Sequence, residues 1–164
     1  MFRPGRSMAQ GVLERPETDL LLALHTTEAP SHVEWDDWCE LTRRYAEAVQ
    51  WDLSRVSCLV ITDGGAPTRE QRTQAARVVA QGRSLPRIVM ITDSTAVRML
   101  TLAFAILTPS FKVFSPKDLS TALSILGVPR PLRRTLFAAL DRMEEEQLGR
   151  GAVKTLNVLR QAVR

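Results

Sequence analysis

Leu59-Val60-Ile61-Thr62-Asp63-Gly64-Gly65 and Val89-Met90-Ile91-Thr92-Asp93-Ser94-Thr95 are one short phrase written twice, 30 residues apart. Each is a continuous apolar run that stops at Thr-Asp and then turns. A continuous run, as opposed to an alternating one, is expected of a strand covered on both faces. The period is that of one βα unit, so the repeat reads as a single strand-to-loop solution used twice.

Working outward, strands are expected over 56–62 and 87–92, joined by a helix from about Pro67 to Gln81. Pro67 suits a first helical turn, and Gly82 suits the position beyond the end. Upstream, Asp19–Thr27 (DLLLALHTT) is a third buried run. Ser31 and Glu34 then fit a capping box. Trp38, Leu41, Tyr45 and Val49 place one apolar stripe on the helix that follows. Downstream, Thr95–Leu107 reads as a helix with Val97, Leu100, Phe104 and Leu107 toward the sheet and Met99, Leu102 and Ile106 on its other side. Phe111–Phe114 is the fourth strand, and Ser115-Pro116-Lys117-Asp118 opens a helix that closes at Leu126-Gly127. Pro129 and Pro131 break the chain before an amphipathic helix 132–148 with Leu132, Leu136, Leu140 and Met143 on one side. Val153, Leu156, Leu159 and Val163 mark a last, less securely held helix. The expected fold is α/β: a mainly parallel four-stranded sheet with helices on both faces, flavodoxin-like in type, plus a C-terminal helical extension. The expected division is a mobile arm over 1–18, where Gly11–Arg15 could add an edge strand, a domain over 19–128 and the extension over 129–164.

With 164 residues, 45% hydrophobic and 24% charged, the chain has the make-up of one globular domain. The longest apolar stretch, Ala96–Leu107, is interrupted by Arg98 and falls short of the ~20 residues of a membrane span. Arg3 and Arg6 are followed by no apolar block, so a secretory leader is not expected. Cys39 and Cys58 give neither a disulfide framework nor a metal spacing, which points to the cytoplasm. The net charge of +4 lies in the tail: residues 127–164 hold 8 Lys/Arg against 4 Asp/Glu. Arg130, Arg133, Arg134 and Arg142 there are countered by Glu144–Glu146, and Phe137 is the one aromatic. A solvated helix face, not a nucleic-acid surface, is expected.

Ligands of open parallel sheets gather beyond the carboxyl ends of the strands. Those ends carry His25, Asp63 and Asp93. Two carboxylates on equivalent strands would suit magnesium, with His25 as a base. The simpler reading is that each aspartate caps the helix after it. Asp63-Gly64-Gly65 would let backbone amides meet an anion, although a tight turn explains both glycines. Trp35 and Trp51 border the first helix, where they could face a partner, although core packing is the simpler role.

From Arg87 to Gly127 the order of pieces resembles the second half of a STAS domain, the fold of bacterial anti-sigma-factor antagonists. The resemblance rests on a strand ending in Asp93-Ser94-Thr95, a helix, the strand Phe111–Phe114, and Ser-Pro before a helix closing in Leu126-Gly127. In that family the strand ends Asp-Ser-Ser-Gly and the second serine is phosphorylated. Here Asp93 and Ser94 match, Thr95 holds the modified position, and Ala96 replaces the glycine. The resemblance implies a STAS-like fold and a non-enzymatic regulatory or scaffolding module with a protein partner or a second copy. It implies Ser94 and Thr95 as a phospho-switch. Independently of it, the second apolar side of the helix, Met99, Leu102 and Ile106, calls for a cover, either a partner's interface or the chain's own C-terminal tail. No cofactor, metal, nucleic acid or membrane span is expected. The alternatives are a small-ligand or anion-binding domain using His25, Asp63, Gly64, Gly65 and Asp93, and a magnesium-dependent enzyme built on Asp63 and Asp93.

Overall fold

The structure, a computed structural model, describes residues 6–105 and 110–163. The fold is α/β, and its sheet has five strands, not the expected four. They are β1 (Met8–Leu13), β2 (Leu20–His25), β3 (Ser57–Thr62), β4 (Arg87–Ile91) and β5 (Phe111–Phe114). Their spatial order is β1-β2-β3-β4-β5. β1 runs antiparallel to β2, and every other pairing is parallel. The extra strand comes from the segment read as a mobile arm. Met8 pairs with His25 and Leu13 with Leu20, in unbroken register.

Among the described residues six α-helices flank the sheet: α1 (His32–Ala48), α2 (Arg69–Val79), α3 (Thr95–Ala105), α4 (Leu119–Ile125), α5 (Arg130–Gln147) and α6 (Lys154–Val163). Each parallel crossover steps to the next strand in one direction, so right-handed connections put the crossover helices on the same face. The core agrees. Leu21, Ala23 and Cys58 pack with Trp35, Cys39 and Ala46 of α1 and with Val78 and Val79 of α2. Leu20, Leu22, Leu24, Leu59 and Ile61, on the opposite face, pack with Leu123, Leu136, Leu140, Leu156 and Leu159 of α4, α5 and α6. The C-terminal helices are thus the second layer of the same core. Val153, Leu156 and Leu159 are fully buried, so the last helix is not the loosely held element expected.

Local chemistry sets the helix starts. Ser31 and Glu34 form the expected capping box of α1. The next helix begins later than expected, because Thr68 and Gln71 form a second capping box after Pro67. Pro131 does not break the chain; it sits in the first turn of α5. Gly127 takes φ +67 beyond α4, the left-handed conformation suited to a C-terminal cap. Trp35 is core, as expected, with its indole Nε1 donating to the Gln71 carbonyl at 2.7 Å.

The sheet has no point where strand order reverses, unlike a flavodoxin-like, doubly wound sheet, so it opens no switch-point crevice. Among the described residues, no helix is long and apolar enough to cross a membrane.

Candidate functional site

The carboxyl ends of β3 and β4 meet the start of α6. The Asp63 carboxylate accepts from the backbone amides of Lys154 (2.7 Å) and Thr155 (2.8 Å). Thr155 Oγ1 donates to the Thr62 carbonyl at 3.1 Å and accepts from the Asp93 amide at 3.2 Å. The ends of β3 and β4 are therefore joined through Thr155, by the Asp63 carboxylate on one side and the Asp93 backbone amide on the other. Neither aspartate caps the helix that follows it: Thr68 caps α2 and Ser94 caps α3, while Asp63 caps a helix 91 residues downstream. Both oxygens of its carboxylate are engaged. Among the described residues, no group of three His, Cys, Asp or Glu side chains is placed to hold a metal ion.

The Asp63-Gly64-Gly65 turn is built by its own backbone. Asp63 donates to the His25 carbonyl at 3.0 Å, Gly64 to Thr62 Oγ1 at 2.9 Å and Gly65 to the Thr26 carbonyl at 2.8 Å. All three amides are spent inside the chain. Gly64 has φ +121, which a side chain rarely adopts. At Gly65 a Cβ would lie 2.0 Å from the Glu28 carbonyl oxygen and 2.6 Å from that of Thr26. Two loops cross there with no room for a side chain.

His25 ends β2 with 5% of its surface exposed, on the α1 side of the sheet. Burial pushes its imidazole down to about 4, against a smaller upward pull from the Glu34 carboxylate. Its Nδ1 has no hydrogen-bond partner among the described residues. The ring is neutral at pH 7 and largely shielded from solvent. Glu34 is the other buried ionisable group here. It accepts from the amides of Ser7 (2.8 Å), Met8 (2.9 Å) and Ser31 (2.8 Å) and from Ser7 Oγ (3.0 Å).

Ser94 and Thr95 form the mouth of α3. Ser94 Oγ accepts from the Val97 amide at 3.3 Å and so caps the helix. Thr95 is exposed, and its Oγ1 accepts from Arg98 Nη2 at 3.3 Å. Arg98 Nη1 in turn donates to the Thr92 carbonyl at 3.2 Å, which fixes the guanidinium beside the hydroxyl. Along α3, Met99 is 64% and Leu100 69% exposed. Leu100 therefore does not face the sheet as expected. The side chain of Leu102, and Ile106, lie outside the described residues, as do Phe104's side chain and Leu107.

Sequence reasoning missed Thr155, the residue on which the two aspartates converge. The only local signal was a threonine in the first turn after the glycines at 149 and 151. It also missed Glu144, which is wholly buried on α5, accepts from the Gly151 and Val153 amides, and pairs with Arg160 at 2.7 Å. Comparison with known families, curated proteins and solved structures returns no match.

Proposed function

We propose that this chain is a cytoplasmic, non-enzymatic regulatory or scaffolding module of a STAS-like kind that contacts a protein partner through α3 and the Ser94–Thr95 turn before it. The observation that carries the reading is the exposure of two adjacent large apolar side chains, Met99 and Leu100, at 64% and 69%. Apolar side chains grouped on a surface mark contact sites more often than scattered ones do. Support also comes from the Asp63-Gly64-Gly65 turn, whose three backbone amides and both carboxylate oxygens are committed to internal bonds, so that this turn offers an anion no free amide.

Thr95 fits a switch on electrostatic grounds. A phosphate there would sit at a helix N-terminus and beside the Arg98 guanidinium, both favourable to negative charge. It would pull Arg98 onto itself and place charge one turn from Met99. Ser94 is less suited, because its hydroxyl already holds the Val97 amide.

The test is a pair of substitutions in the full chain. Met99→Asp with Leu100→Asp is expected to leave the urea midpoint nearly unchanged, within about 0.5 kcal/mol, since exposed positions tolerate charge. Proteins recovered with the wild-type chain from its native host are then purified and their binding measured directly. Binding lost in the folded double variant supports the reading. Binding at wild-type affinity overturns it.

A further inference from the structure

α5 carries its charges against its own dipole. Arg130, Arg133 and Arg134 crowd its first turns, while Glu144, Glu145 and Glu146 fill its last, with no acid at the start and no base at the end. Each such placement opposes the partial charges of the helix ends. Folding calls for Glu144, which holds the Gly151 and Val153 amides and Arg160, but not for the exposed charges. A surface that meets complementary charge does.

The exposed residues show which surface. At about 100° per residue, Arg130, Arg134, Ala138, Asp141 and Glu145 fall within about 80° of helix circumference. All five are exposed. Read along the stripe, the pattern is two bases, a small residue, two acids. Its complement is the same stripe read backward. Arg142 lies outside it, on the far side of Ala138, and Glu144 is wholly buried.

We propose that α5 is the interface of a twofold homodimer in which two copies pack this helix antiparallel about Ala138. Arg130 then meets Glu145 of the second copy, and Arg134 meets Asp141, each pair made twice by symmetry. Ala138 at the axis lets the helices approach closely. The two helix dipoles run opposite to one another, which adds to the attraction. A groove of about 840 Å³ opens beside the acidic end, with Phe137 in its lining and Asp141 and Glu145 on one wall. Arg150 and Arg160 also line it, so the guanidinium groups of the second copy must lie on its Asp141 and Glu145 side. Among the described residues, Arg130, Arg134 and Glu145 have no ion-pair partner in their own chain, and Asp141 shares only Arg160. The occupant is a second copy because a charge pattern that is its own complement needs no other partner.

Charge reversal tests this in the full chain by sedimentation equilibrium. The wild type is expected to dimerise at low salt and to weaken about tenfold as the Debye length falls from about 14 Å to about 4 Å. Arg130→Glu alone and Glu145→Arg alone should each weaken association at least about tenfold, because each sets like charges opposite one another. Mixing the two variants should restore it, since the reversed residues then face each other. Both variants move charge to the end of the helix that the dipole favours, so their melting temperatures should hold or rise, which separates lost association from lost folding. A wild type that stays monomeric at about 0.1 mM in low salt, on the scale of weak interfaces, overturns the proposal. So does a variant that dimerises like the wild type, or a mixture that remains monomeric.

Discussion

Glu34 accepts four hydrogen bonds in a place where 5% of the residue is exposed. Burial pushes its carboxyl upward, but bonds from Ser31, Met8 and Ser7 outweigh this and hold it at about 2, below the ordinary 4.5. His25, on the same side of the sheet, is held at about 4 instead of 6.5. Both folded values are depressed, so in both cases the unfolded chain binds protons more readily and stability is lost as pH falls. The His25 loss runs from about pH 6.5 to about 4, and the Glu34 loss from about 4.5 to about 2. The urea midpoint is expected to fall in two stages on acidification. His25→Leu should flatten the first, whose depth is on the order of 2–3 kcal/mol; a first stage unchanged in that variant would assign it to another group. Asp63→Ala removes the acceptor for two amides of α6 and is expected to cost about 1–2 kcal/mol. Hydrogen exchange should quicken at Lys154 and Thr155, the two amides concerned. The capping role of Asp63 was legible from its residue type. The helix it caps was not, because nothing near it in sequence points to Thr155.

At the scale of elements, the join between α1 and β3 carries the least comfortable backbone. Gln50 and Trp51 stand consecutively at φ +54 and +62, the left-handed region. Surrounding contacts hold them there: the Arg83 amide donates to the Trp51 carbonyl at 3.0 Å, and Arg83 Nη2 to that of Gln50 at 2.9 Å. Gln50→Gly is expected to stabilise the protein by about 0.5–1 kcal/mol in urea titration, because glycine adopts this conformation without strain. β1 shows why one element was hard to read. Its sequence MAQGVL has Gln10 and Gly11 at the centre, which weakens the strand signal. Both receive their justification from elsewhere. The Gln147 side-chain amide bonds the outward N–H and C=O of Gln10, at 3.1 and 2.8 Å, and so covers the sheet edge. A Cβ at Gly11 would lie 2.8 Å from Met143 Sδ, so the missing side chain lets α5 settle on the strand.

On the scale of the whole molecule, the C-terminal helices complete the core. Truncation after Gly149 would remove Val153, Leu156 and Leu159, each with no exposed surface. At about 1.5–3 kcal/mol per buried aliphatic side chain, the loss is comparable with the whole stability of a domain. The truncated chain is expected to show no cooperative thermal transition. A melting temperature like that of the full chain would mean that α6 contributes little to the core.

The sequence by itself determined the elements whose causes are local. Continuous apolar runs gave β2, β3 and β4, and Ser31 with Glu34 began α1, because burial on both faces and end-capping act between near neighbours in the chain. The tertiary structure alone decided what depends on residues far apart. Strand order is one such decision, since each parallel pairing joins runs separated by a whole helix. The joining of Asp63 and Asp93 through Thr155 is another, across 91 and 92 residues for the Asp63 bonds. A carboxylate stabilises the free amides of a helix start wherever the two meet, and only packing determines which helix start lies within reach.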